Sequence, residues 1–315
     1  MLAKDYISGL ASEGATLVVV PGTDDTGARN LGRWLVWFFA LFSRVVVIDY
    51  PGTVGPLIGG LRSDRYDQSR DKAVVATVEL VGSMAGKVVI IGYSQGAEAA
   101  WLATARLHSL GVKSGEIELI VWAHPQHPTG LKAGLKRHHP LVSLILSRLL
   151  GAQANGAADE QLTGDIPVTS LAITGDPVTA LEVWWKNPLG FSFGSITGFL
   201  MIHAGLGRQG AARLDTLSIW GSWRAPGSNT THVVVDSVHP MTQFLRRQGF
   251  VPSVRMQKIL AMIAPISLPG QRSASVFAVR HNWRVARMLD LAPVTPLQQS
   301  HEKSWTPEVK LASAG

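Results

Sequence analysis

The feature that most limits the fold is a series of short runs rich in valine and isoleucine, none alternating regularly with polar residues. They are "ATLVVV" (15–20), "RVVVID" (44–49), "KVVII" (87–91), "IELIVWA" (117–123) and "VTSLAIT" (168–174). β-Branched residues favour extended backbone, and a strand that is apolar on both sides needs both faces covered. Helix-like segments lie between the runs at 29–42, 69–86 and 97–111. Strand, helix and strand at this spacing form right-handed βαβ units. The expected fold class is therefore α/β, a doubly wound, mainly parallel sheet with helices on both faces. In such a sheet ligands bind beyond the carboxyl ends of the strands, so each loop after a strand is a candidate site.

Three regions break the alternation. Residues 130–166 read as a helix and a loose polar loop inserted after a strand, and residues 177–206 as an apolar segment broken by glycine and proline, suited to cap a site. From 266 to 315 the periodicity is lost, which predicts a C-terminal extension, partly disordered. The expected organisation is one domain over 1–265, with inserted cap segments at about 130–166 and 177–206, followed by that extension.

Composition removes several classes of function. The 315 residues include no cysteine, so neither a disulfide nor a thiol nucleophile is available. The net charge of +7 is scattered except for "KRHH" (136–139), unlike the basic stripe of a nucleic-acid binder; it suits contact with an anionic, lipid-rich envelope. The first twenty residues lack the pattern of a secretory signal, which predicts synthesis in the cytoplasm without a signal peptide. The most apolar helical stretch, "LGRWLVWFFALF" (31–42), is too short to span a bilayer and reads as a buried core helix. His124 and His127 in "HPQHP" lack further ligands for zinc, and their place after a strand suggests pocket lining. No metal or cofactor is called for.

Two segments match Gly-x-Ser-x-Gly: "GYSQG" (92–96) and "GFSFG" (190–194). Context separates them. Ser94 follows the strand "KVVII" and precedes the helix "AEAAWLATARL", the strand–turn–helix of a nucleophile elbow. Ser192 follows "WWKNPL", which holds a proline and no strand pattern. A serine nucleophile needs an acid, a base and donors for the oxyanion, the acid and base on loops after later strands. Asp176, beyond "VTSLAIT", is the candidate acid. Among ten histidines, His232 is the candidate base, because it ends a polar loop and enters an apolar run; His239 and His203 are alternatives. The oxyanion donors are expected at Gln95, after the nucleophile, and at Thr23 in "PGTDDTG" (21–27), after the first strand.

With these pieces assembled, the chain resembles the phage lysin B esterases, and more distantly the cutinases and PE-PPE-domain hydrolases. The likeness is carried by "PGT" (21–23), "YPGTVGPLIGG" (50–60), "YDQS" (66–69), "GYSQGA" (92–97), "GDP" (175–177) and the stretch 232–247, and covers about residues 15–250. It implies an α/β-hydrolase fold and a serine esterase acting on mycolylarabinogalactan or similar lipid esters of a mycobacterial-type envelope during phage lysis. In lysin B the final histidine corresponds to His232, whereas in PE-PPE enzymes it lies closer behind the aspartate, at His203. A generic intracellular or cutinase-like carboxylesterase is the alternative activity, and an envelope-binding protein on a hydrolase scaffold the alternative of another class. Oligomeric state has no signature in the sequence.

Loss of a triad serine removes roughly 10⁶-fold in kcat. Ser94→Ala is therefore expected to abolish ester hydrolysis with the fold intact, and Ser192→Ala to stay near wild type. The reverse outcome would exclude the elbow at Ser94.

Overall fold

Five parallel strands realise the expected alternation: β1 (Thr16–Val20), β2 (Arg44–Asp49), β3 (Val88–Tyr93), β4 (Ile117–Trp122) and β5 (Val168–Ile173). The structure is a computed structural model that describes residues 1–112, 114–181, 190–207, 210–224, 227–263 and 312–313. Two further strands extend one side, β6 (Ile219–Arg224) and β7 (Thr230–Val235), and the short β8 (Ala312–Ser313) joins the other. The sheet order is β6-β7-β5-β4-β3-β1-β2-β8; among the described strands only β6 runs antiparallel, against β7. This is the doubly wound, mainly parallel sheet of an α/β-hydrolase. The expected extension at 266–315 lies, apart from residues 312–313, outside the described residues.

Helices α1 (Ala3–Ser8), α2 (Arg29–Trp34) and α3 (Val36–Phe39) cover one face; α4 (Tyr66–Gly82) and α5 (Gln95–Ser109) cover the other. The period of two along the strands divides them between two cores. Leu17 and Val19 of β1 pack with Ile7, Leu31 and Phe38, while Val18 and Val20 pack with Ala73 and Ala97 on the opposite side. Each such side chain contributes roughly 1.5–3 kcal/mol by leaving water.

Two helical expectations change in detail. The segment 31–42 is buried at Leu31, Leu35 and Phe38, as expected of a core helix, but it breaks at Leu35, whose φ of −113° and ψ of 22° are not helical. After β4 the insert holds two helices rather than one, α6 (Leu131–His138) and α7 (Pro140–Leu150). Pro140 cannot donate within a continuing helix, and it starts α7 where no donor is needed. The remaining helices are α8 (Ser195–Gly198), within the expected cap segment, and α9 (Pro240–Arg247) and α10 (Val254–Ile263). Among the described residues no helix is long and apolar enough to cross a membrane.

The order β2-β1-β3-β4 reverses the direction of winding between β1 and β3. Connections leave those two strands toward opposite faces, so a crevice opens between their carboxyl ends. Beneath it lies a buried charge cluster. Glu98 of α5 accepts hydrogen bonds from Arg70 Nη1 at 2.7 Å, Lys132 Nζ at 2.7 Å and the Tyr66 hydroxyl at 2.8 Å. Burial alone would raise the Glu98 pKa; Lys132 and Arg70 outweigh that and hold it below the ordinary value. The cluster joins α4, α5 and α6.

Removing one member of a buried ion cluster strands the others, at a cost of about 3–5 kcal/mol. Glu98→Ala should lower unfolding free energy by that order in urea titrations at neutral pH. The Glu98 pKa is depressed on folding, so its contribution is complete above the ordinary value of 4.5 and fades as pH falls through the folded value. The gap between wild type and variant should narrow in that acid range, and a pH-independent gap would refute the assignment.

Candidate active site

Ser94 sits between β3 and α5 with φ of 55° and ψ of −120°, a conformation that costs a non-glycine residue about 1–3 kcal/mol. Its neighbours make the turn possible. A Cβ on Gly96 would lie 2.1 Å from the Pro21 carbonyl oxygen, and one on Gly92 2.4 Å from that of Gly96. Only glycine allows the helix start to press on the end of β1 this closely. The Ser94 N–H donates to the Trp122 carbonyl at 3.0 Å, which ties the turn to β4.

Among the described residues one imidazole meets Ser94, and it belongs to His203. Its Nε2 lies 2.9 Å from Ser94 Oγ, and its Nδ1 lies 3.1 Å from Asp176 Oδ2. The carboxylate can only accept, so Nδ1 carries the proton and Nε2 accepts from the serine hydroxyl. Asp176, in the loop after β5, also accepts from the Val178 N–H at 2.9 Å through Oδ1. Both His203 and Asp176 are buried. The imidazole stacks on Tyr93 at 5.2 Å and on Phe199 at 5.0 Å, and the Tyr93 hydroxyl donates to the His203 carbonyl.

His203 closes a wide π-helical turn, Phe199–His203, that continues from α8; such turns are frequent at functional sites. A Cβ on Gly198 would lie 2.2 Å from the Gly175 carbonyl oxygen, so α8 packs directly on the loop that bears Asp176. The segment expected to act as a cap thus delivers the histidine. In sequence His203 is only an alternative to His232, because a histidine among leucine, methionine and phenylalanine reads as core; the PE-PPE side of the resemblance points to it. Nothing in the local pattern marks Tyr93 and Phe199 as ring supports, although Tyr93 stands inside "GYSQG".

The expectation of His232 as the base is corrected. His232 lies within β7, and the registers His232–Ser170, Ser170–Val121 and Val121–Gly92 place it level with Gly92 but three strands away. Three strand spacings are roughly 14 Å. Its Nε2 is bonded to Glu160 Oε1 at 2.7 Å, and its ring stacks on Trp223 at 5.0 Å. The polar loop before it lies at the amino edge of the sheet, opposite to where a base must stand. His239 is the N-cap residue of α9. Ser192 lies in a π-helical turn, Gly190–Gly194, not on an elbow.

The loop after β1 touches the elbow: a Cβ on Gly22 would be 3.4 Å from Ser94 Cβ. Among the described residues neither the Thr23 N–H nor the Gln95 N–H has an acceptor, the latter because it opens α5. The Gln95 side chain donates to the carbonyls of Thr53 at 3.1 Å and Tyr66 at 3.0 Å, and Thr23 Oγ1 donates to Gln95 Oε1 at 3.4 Å. Asp25 holds the other end of the loop by accepting from the N–H groups of Asn30 and Leu31, and burial raises its pKa. The expectation of pocket lining by His124 and His127 meets two histidines packed in the interior. Both are fully buried; His124 stacks on Trp101, and burial takes its pKa down to about 4 and that of His127 well below its usual value.

Beside the relay lies an apolar pocket of about 340 Å³, walled by Leu131, Pro177, Val178, Leu181, Ile196 and Phe199. Phe199 joins it to the face of His203. Phe193 and Phe199 are exposed and Met201 is buried, so this segment serves both rim and core. Trp184 and Trp185 lie outside the described residues, and nothing is described of the Phe191 side chain.

Residues 43–266 match the family model of the PE-PPE domain. Curated protein sequences give no match. Solved structures with a similar chain trace include the type II thioesterase BorB from the borrelidin biosynthetic cluster, at 15% identity and TM-score 0.36 over 81% of this chain and 92% of that one. YbtT, a type II thioesterase from the yersiniabactin NRPS/PKS pathway, is similar at 17% and 0.37 over 81% and 95%. A polyneuridine aldehyde esterase mutant is similar at 12% and 0.31 over 58% and 88%. At these TM-scores the likenesses carry no functional weight.

Removing a base that holds the serine proton costs at least ~10³-fold in kcat. His203→Ala should show that loss with ester substrates, and His232→Ala should keep kcat within about threefold once its stability is matched. Activity that survives His203→Ala but not His232→Ala would show that the relay seen here is not the one used.

Proposed function

The chain belongs to the PE-PPE domain family, and from the hydrogen-bonded line of Ser94, His203 and Asp176 we propose that it is a serine hydrolase of carboxylic esters bearing an apolar acyl chain. The observation that carries this reading is the His203 imidazole, in contact with the elbow hydroxyl on one side and a buried carboxylate on the other. Ser94 Oγ attacks the ester carbonyl while Nε2 of His203 takes its proton. Asp176 keeps Nδ1 protonated and stabilises the imidazolium. The N–H groups of Gln95 and Thr23 receive the developing oxyanion, each worth about 3 kcal/mol to the transition state. His203 then protonates the leaving alcohol, and water, activated by the same nitrogen, releases the acid.

The apolar pocket supports an acyl chain as the recognised group. Its 340 Å³ is at the small end of ligand sites, roughly 300–1,000 Å³, which suits one chain of moderate length. The family match favours the PE-PPE branch of the resemblance over the lysin B branch. The substrate is therefore proposed by class, as a lipid ester; a mycolate ester cleaved in phage lysis is its narrowest version.

Filling a pocket that seats several methylenes should discriminate by about 10–200-fold. Leu200 also lines the pocket, and Leu200→Trp is expected to lower kcat/KM for p-nitrophenyl octanoate at least ~10-fold and for the acetate by no more than about twofold. Equal losses on both esters would remove the pocket from the mechanism. Release of free mycolic acid from purified mycolylarabinogalactan would select the narrow version, and no ester cleavage at all would end the reading.

A further inference from the structure

Helix α7 turns its apolar face outward. Ser143, Leu146, Ser147 and Leu150, spaced as one helical stripe, are its half-buried residues, and no residue of the helix is fully buried. Leu141, Leu144, Ile145 and Leu149 are 75%, 51%, 54% and 62% exposed. At 3.6 residues per turn these four occupy an arc of roughly 140°. A surface helix of a water-facing domain has the opposite arrangement.

The charge along α6 and α7 is of one sign. Between Glu118 and Asp159 the chain has no acidic residue, and Lys136, Arg137 and Arg148 are exposed there. The face also continues onto the loop after β2. Arg65 packs against Gly151, the left-handed residue that ends α7, and Leu57 and Leu61 of that loop are 69% and 93% exposed. The acids nearby are engaged: Asp64 with Lys72 at 2.7 Å, and Asp67 with Arg70 at 2.7 Å. The same loop holds Thr53, whose carbonyl accepts from Gln95 beside Ser94. One loop thus touches both the end of α7 and the elbow.

We infer that α7 and the 57–61 loop form a docking face for the surface of an anionic lipid aggregate. A lipid surface takes leucine and isoleucine side chains into its acyl layer and basic side chains into its headgroups at the same time. Arg148, within the apolar arc, reaches the headgroup layer along its own methylene stem. A second copy of the chain is a poorer occupant, because two-fold pairing of identical faces would bring Lys136, Arg137 and Arg148 against their own copies. Docking here would set the elbow at the lipid boundary.

The test uses the full chain carrying Ser94→Ala, so binding is read without turnover and stands or falls apart from the hydrolase reading. Flotation would compare vesicles of phosphatidylcholine alone with vesicles that contain roughly one part in three phosphatidylglycerol, with at least ~10-fold stronger partition expected on the latter. Ile145→Asp with Leu149→Asp should lower that partition at least ~10-fold, and Arg137→Glu with Arg148→Glu should erase the difference between the vesicles. The same pairs in the active protein should leave thermal stability and hydrolysis of a soluble acetate ester unchanged, which shows that they fold. Absence of binding, or binding insensitive to both pairs, would overturn the inference. So would a dimer in sedimentation that Ile145→Asp dissociates, since a second copy would then own the face.

Discussion

The close approach of Gly96 to the end of β1 is the constraint on which the site depends. With the α5 backbone in contact with the carbonyls of Val20 and Pro21, Ser94 is forced into a conformation it would not choose alone. The same contact places the β1 loop at the serine, so that Thr23 and the first turn of α5 can face one atom. The strain at Ser94 persists because the sheet registers on both sides of β3 leave the turn no room to relax.

The rest of the relay is assembled from elements distant in sequence. Asp176 comes from the loop after β5, and His203 from the helical segment packed on that loop through Gly198. Tyr93 links the two ends: it precedes the nucleophile, stacks on the imidazole and bonds the carbonyl of the same histidine. The elbow and the segment from α8 to His203 thus position each other.

Beneath the crevice the Glu98 cluster performs a similar task for the insert. Lys132 lies in the first turn of α6 and Glu98 in the first turn of α5, so their ion pair binds the insert to the elbow helix. The outward face of α7 follows directly from α6. The buried Lys132–Glu98 pair thus anchors the helix that precedes α7, while α7 itself has no fully buried residue.

Much of this was legible in the sequence. The unalternating valine and isoleucine runs predicted the parallel sheet, because a strand apolar on both faces has no other stable setting in water. Glycines at 92 and 96 around a serine, between a strand and a helix, predicted the elbow at Ser94, and "GDP" after the fifth run pointed to Asp176. Local pattern sufficed because each of these depends on residues within one turn. The strand β6 was missed because its half-buried "IWGSWR" lacks a core run. The histidine could not be chosen locally. His232 had the better surroundings in sequence, yet the sheet register carries it three strands from Ser94, while α8 folds back and brings His203 across 109 residues to within 2.9 Å of the hydroxyl. Chain pattern determined which groups existed and on which elements; only tertiary packing decided which imidazole meets the serine, because that distance is set by strand order and by the docking of the cap segment.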